Sequence, residues 1–275
     1  MNMKNLEGTV LGKIVARRRL KIEQSKDQVP LSVLRADAER RIDIHDFTAG
    51  LRGKRLGIIA ELKKASPSRG LLCSDYRCQE IALQYERAGA NALSVLTEEE
   101  FFLGSLDDLE GVRAVTHMPL LRKDFILDPY QVYECAARGA DALLLIVAAL
   151  SNKELASLLQ LAEELRMAAL VEVHTEEEIT TALEAGATVL GVNNRNLKTL
   201  EVSLETSFRL VEKIPPDCLK ISESGIKTPS DLIVLHKAGF DAVLIGEHFM
   251  MQQNPGAALA GLLEGVKAEA VDERR

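Results

Sequence analysis

The sequence predicts a (β/α)8 barrel with an N-terminal helical extension. Two observations carry this. One motif returns four times along the chain, as RAGANALSVLT, ARGADALLLIV, EAGATVLGVNN and KAGFDAVLIGE. Each copy joins a helix end to an apolar strand through Gly89, Gly139, Gly186 or Gly239, and glycine accepts the positive φ of a helix C-terminus at little cost. Between successive copies there is room for another strand and helix, and an apolar run stands in each place. Strict βα alternation of this kind builds a parallel sheet with helices packed outside it.

The elements follow in order. Residues 1–47 precede the first strand, and LGKIVARRRLKIEQSK reads as a helix with Leu11, Ile14, Val15 and Leu20 as its apolar positions. A segment this short buries no sizeable core of its own, so it belongs to one domain spanning 1–275. Its basic run, Arg17-Arg18-Arg19, reads as a solvated helix face. Strands are expected at 56–63, 92–97, 119–126, 142–148, 168–175, 188–194, 218–226 and 241–247. Amphipathic segments such as CQEIALQYERAG and KELASLLQLAEELR separate them. The rival architecture is an open doubly wound sheet, but the chain has neither GxGxxG nor a Walker A motif.

Composition narrows the function. Aromatic residues make up 4% of the chain and Trp is absent, as suits an aliphatic parallel sheet under helices. A net charge of −7 speaks against a general nucleic-acid surface. Cys73, Cys78, Cys135 and Cys218 form no CxxC pair, and the histidines form no HExxH or HxxxH, so no metal site is expected. Free thiols point to a reducing cytoplasm. No apolar run has the length of a membrane span, and Glu7 and Glu23 argue against a transit peptide.

Barrel enzymes keep their chemistry at the C-terminal ends of the strands. Read there, the first strand offers Glu61 and Lys63, the third Lys123, the fifth Glu172, the sixth Asn193 and Arg195, the seventh Glu223 and Ser224, and the eighth Gly246. Strand side chains alternate, so Glu61 shares a face with Lys63, Glu172 with His174, and Asn193 with Arg195. A structural ion pair could explain one such residue; charges at so many strand ends point to a site. Gly225 in SESGI and Gly246 in LIGEHF stand where strands turn outward, and backbone N–H groups exposed there bind anions. Ser66 and Ser68 either add hydroxyl donors or serve as turn residues around Pro67. His174 reads first as a hydrogen-bonded structural histidine and second as a group that titrates near neutrality, and His117 and His236 read as surface or packing residues. Asp124 faces away from Lys123 and is expected to hydrogen-bond structurally. Phe101 and Phe102 either cap an apolar ligand or pack.

These segments resemble those of the indole-3-glycerol phosphate synthase family. AELKKASPSRG, SVLTEEEFFLGS, LLRKDFI, LVEVH, GVNNRNL, SESGI and LIGEHFM occur in that order between residues 60 and 251, and LGKIVARRRLKI is similar to the family's helix before the barrel. LGS differs slightly from the commoner small-residue form of the loop after the second strand. The resemblance implies a phosphosugar–anthranilate substrate, 1-(2-carboxyphenylamino)-1-deoxyribulose 5-phosphate, converted to indole-3-glycerol phosphate by ring closure, decarboxylation and dehydration. It implies no metal or organic cofactor, no nucleic-acid or membrane partner, and a cytoplasmic monomer or weak homo-oligomer. Under it, Lys123 is the general acid, Glu172 handles a proton in dehydration, and Glu61 holds Lys63 by an ion pair. Arg195 meets the substrate carboxylate, and Asn193 and Glu223 meet the sugar hydroxyls. Ser66, with the main chain at Ser224, Gly225, Gly246 and Glu247, receives the phosphate. The allocation of single proton transfers among Glu61, Lys63, Lys123 and Glu172 stays open. A Schiff-base phosphosugar aldolase, a sugar-phosphate isomerase and a non-catalytic anion-binding module are the rivals on the same scaffold.

Overall fold

The computed structural model describes residues 8–272 apart from Lys54 and Lys198, with side chains up to residue 268; residues 1–7 of the expected extension lie outside the described residues. Eight parallel strands close into a barrel: β1 (Gly57–Leu62), β2 (Ala92–Leu96), β3 (Leu120–Lys123), β4 (Ala142–Ile146), β5 (Ala168–Val173), β6 (Val189–Asn193), β7 (Leu219–Glu223) and β8 (Ala242–Ile245). Each strand pairs with its sequence neighbours, and β8 closes on β1. Among the described residues no helix is long and apolar enough to cross a membrane, and the four cysteines are unpaired.

The repeated motif acts as its residues dictate. Gly89, Gly139, Gly186 and Gly239 all take φ between 87° and 98°, ending one helix and aiming the chain into the next strand. Helix starts are as well specified. Ser151 with Glu154 and Thr228 with Asp231 form capping boxes, which satisfy backbone donors that the helix itself leaves unpaired. Strands stop earlier than the apolar runs suggest. After Lys123 the Asp124 carboxylate accepts the Phe125 N–H at 2.8 Å, and after Glu223 the chain turns at Ser224 (φ 69°) and Gly225 (φ 86°). Each break leaves a charged residue as the last of its strand. The loop after β1 also folds on itself, Ala65–Ser66 pairing antiparallel with Gly70–Leu71, a hairpin the turn residues alone did not reveal.

The extension forms two helices, α1 (Val10–Gln28) and α2 (Leu31–Arg40), and buried ion pairs hold it at both rims of the barrel. Its basic run is not a uniform solvated face. Arg17 is exposed and Arg19 half-buried, and they pair with Glu100 and Glu154, but Arg18 is 6% exposed and meets Asp124 at 2.8 Å and Glu99 at 3.0 Å. Helical periodicity explains the correction: Arg18 shares the face of Leu11, Ile14, Val15 and Ile22, all buried. Asp124 is thus structural, as expected, held also by Arg122 at 3.1 Å and the Thr97 hydroxyl at 2.6 Å. At the opposite rim Asp141, just before β4, accepts from Arg41 at 2.5 Å and Arg113 at 3.1 Å, and from the backbone N–H of His45 and Leu120. His117 packs beside His45, and His236 lies in the helix Pro229–Lys237.

Candidate active site

Strand register decides which distant residues meet. Glu61 is opposite Ser94 across β1 and β2, Glu172 opposite Gly191 across β5 and β6, and Asn193 opposite Glu223 across β6 and β7. The C-terminal strand ends therefore share one opening, a cavity of about 920 Å³. Every residue expected at the site lines it: Glu61, Lys63, Ser66, Lys123, Glu172, Asn193, Arg195, Glu223, Ser224, Gly225, Gly246 and Glu247. Such volumes suit a drug-sized molecule.

At its centre, Lys123 Nζ lies 3.3 Å from Glu172 Oε2 and 3.2 Å from Glu223 Oε2. Lys63 Nζ donates to Glu61 Oε1 at 2.6 Å, the ion pair expected of them. Burial works against the charge on Lys123, but Glu223, Glu172 and Glu61 outweigh it and hold the ammonium well above the usual lysine value. Burial likewise pushes Glu172 up, and Lys123, His174 and a hydrogen bond from Asn193 overcome it, leaving the carboxyl below its ordinary value. Glu223 goes the other way. Burial, with Glu172 and Glu61 as like-charged neighbours, raises it to about 7 despite Lys123. Two carboxyls on one ammonium thus differ: one firmly ionised, one close to its midpoint at neutral pH.

Two glycines make room for this arrangement. A Cβ on Gly191 would overlap Glu223 Oε1 and come within 3.0 Å of Leu170 Cδ1; one on Gly246 would overlap Glu61 Oε1 and come within 3.0 Å of Glu61 Cβ. The barrel interior accepts both carboxylates because the neighbouring strand has no side chain there. Gly191→Ala is expected to cost about 1–3 kcal/mol of stability through overpacking. It should also lower kcat roughly 10²-fold, because displacing Glu223, one of the two carboxylates on the Lys123 ammonium, misplaces that proton donor, and a misplacement of about 1 Å costs on that order. Urea unfolding read beside kcat of the folded protein checks both; unchanged kcat in a folded variant removes the need for the slot.

The rim differs in detail from the sequence reading. Arg195 Nη2 is 3.2 Å from Glu247 Oε2, and its Nη1 is near Ser68 Oγ and Leu200 O. Arg69 reaches the other Glu247 oxygen at 3.3 Å. Ser66 and Ser68 hydroxyls are 3.4 Å apart. Phe102 lines the cavity and packs on Phe125, ring centroids 6.1 Å apart; Phe101 is absent from the lining. The sequence reading missed that Val10, Leu11 and Ile14 of α1 form part of the wall. Their helical spacing announced a buried face but not what it covers. It also missed Gly191, whose signal, a glycine inside an apolar strand, marks a close approach.

The comparisons agree with this geometry. The family described as indole-3-glycerol phosphate synthase matches residues 11–262. The indole-3-glycerol phosphate synthase of Polaromonas sp. strain JS666 is 48% identical over 257 residues, covering 92% of this chain and 97% of the relative. That of Chloroherpeton thalassium is 50% identical over 253 residues, covering 90% and 97%. Among solved structures, KGPDC from Streptococcus mutans superposes with a TM-score of 0.61 at 13% identity, covering 78% of this chain and 99% of that one, a likeness of fold. With its barrel closed, its charged strand ends gathered and its sequence matched over nearly its whole length, the chain belongs to the indole-3-glycerol phosphate synthase family, carboxy-lyases that act on a phosphate-bearing small molecule in tryptophan biosynthesis.

Proposed function

We propose that Lys123 and Glu172 carry the proton transfers by which 1-(2-carboxyphenylamino)-1-deoxyribulose 5-phosphate becomes indole-3-glycerol phosphate. The observation that supports this most directly is the Lys123–Glu172 contact of 3.3 Å inside the shared opening. The chemistry states what the site must supply. The ketose oxygen receives one proton as the aromatic carbon attacks the carbonyl carbon and a second as it departs as water. The ring gives one proton back. Since carbon dioxide leaves from a carboxylate, the ionised substrate takes up one proton per turnover.

Lys123, kept protonated by its three carboxylate neighbours, donates to the ketose oxygen. Glu172, kept ionised, accepts the ring proton during dehydration. Lys63, steadied by Glu61, bridges the substrate carboxylate and the reacting hydroxyl. Arg195 exchanges Glu247 for that carboxylate, which its planar fork fits. Asn193 and Glu223 hydrogen-bond the sugar hydroxyls. The phosphate lies against the Ser66 hydroxyl and the main-chain N–H groups at Ser224, Gly225, Gly246 and Glu247, two of these residues having the positive φ that turns successive donors one way. Val10, Leu11, Ile14 and Phe102 face the aromatic ring.

A Schiff-base lysine needs a depressed pKa to be a nucleophile, and Lys123 is displaced in the opposite direction. Borohydride added during turnover is therefore expected to leave no lysine adduct while indole fluorescence grows. A trapped adduct at Lys123 would replace proton transfer by covalent chemistry.

A further inference from the structure

His174 stands just beyond β5, two residues after Glu172, and lines no part of the cavity. Both its ring nitrogens nevertheless face carboxylates. Nδ1 is 3.1 Å from Glu178 Oε2, and Nε2 is 3.4 Å from Glu172 Oε1. Nε2 is buried and makes no hydrogen bond of good geometry; the carboxylate it faces is that of Glu172. Glu178 is fixed in its own right. It lies in the first turn of the helix Glu176–Glu184, whose N-cap Thr175 accepts its N–H, and its Oε2 also accepts the His174 backbone N–H at 2.6 Å. The imidazole is thus tethered twice to one carboxylate while its far edge meets another. A neutral imidazole has one N–H donor; two carboxylate partners call for the imidazolium, which has two.

We propose that His174, clamped by Glu178, is a positioning residue that keeps Glu172 ionised and turns its second oxygen toward Lys123. The four groups form a line of alternating charge, Glu178, His174, Glu172 and Lys123, drawn from the fifth helix after the extension, the end of β5, and β3. Glu223 on β7 is the further charged group facing the ring. Burial works against the imidazolium, but Glu178, Glu172 and Glu223 outweigh it and raise the group above the usual histidine value. The cation therefore persists to higher pH than in an ordinary histidine and is lost as the pH rises through that raised value. The inference rests on the reading of Glu172 as the base of the dehydration.

The test is the pH profile of kcat in His174→Asn and Glu178→Gln. Without its cationic neighbour Glu172 ionises less readily, so the acid limb should move to higher pH, by roughly one unit for one facing charge. KM should stay within about threefold, and kcat should fall roughly tenfold on the acid side of the limb, as a one-unit shift in a required base implies, while changing little near pH 7, where Glu172 stays ionised in both proteins. Glu178→Gln should move the limb the same way by a smaller amount. A folded His174→Asn with the wild-type limb overturns the proposal; if that variant fails to fold, an unmoved limb in Glu178→Gln does so. Glu172→Gln separates the two readings. Near-normal turnover in it sinks the role of Glu172 itself, whereas an inactive Glu172→Gln beside an unmoved His174→Asn profile sinks the clamp alone.

Discussion

Lys123→Ala is expected to lower kcat roughly 10³–10⁴-fold, the upper range for loss of one positioned proton donor, while binding of the product indole-3-glycerol phosphate weakens far less. Two features of the site set this size. Lys123 is the ammonium that Glu172 and Glu223 share, so its removal deletes the acid and leaves two buried carboxyls facing each other. Burial and mutual repulsion then push both upward, and Glu172 loses the partner that contributes most to holding it ionised. Phosphate and ring contacts lie elsewhere on the rim, which is why binding survives. Lys123→Arg should not rescue turnover, because a guanidinium keeps the charge but does not release its proton at working pH. Single-turnover fluorescence with titration of product separates the two quantities. A Lys123→Ala protein with kcat within tenfold of the parent would remove this lysine from the chemistry.

The second large effect is on stability and lies at the other rim. Asp141→Ala should cost about 3–5 kcal/mol, the penalty for breaking a buried ion pair and leaving the partner charge uncompensated. Against a total of about 5–15 kcal/mol for a folded domain, that is a fifth or more of what holds the protein together. The reason is convergence. Arg41, Arg113 and the N–H groups of His45 and Leu120 all direct donors at one buried carboxylate. Arg41 also donates to the carbonyls of Ala140 and Gly139, so it cannot follow the lost charge out to water. Urea unfolding should show the loss as a lower midpoint. The folded fraction should keep its kcat, since the opposite end of the barrel carries the site. A midpoint within the change of about 0.5 kcal/mol typical of a surface substitution would show that this network does not anchor the extension.

The sequence by itself determined the barrel and the list of groups at its mouth. Helix-to-strand glycines such as Gly139 and apolar runs ending in a charge, as LLRK does, are local properties, written within a few residues and therefore readable. Alternation along a strand likewise announced that Glu61 shares a face with Lys63. Tertiary structure decided who meets whom. That Arg18 leaves its basic neighbours to reach Asp124, that Gly191 vacates space for Glu223, and that Arg195 is engaged by Glu247 all depend on strand register and helix docking. Most of these partners are tens of residues apart in the chain. Local propensity has no access to them; closing the ring and burying the extension against it bring their charges within a few ångströms, where burial gives each pairing its consequence.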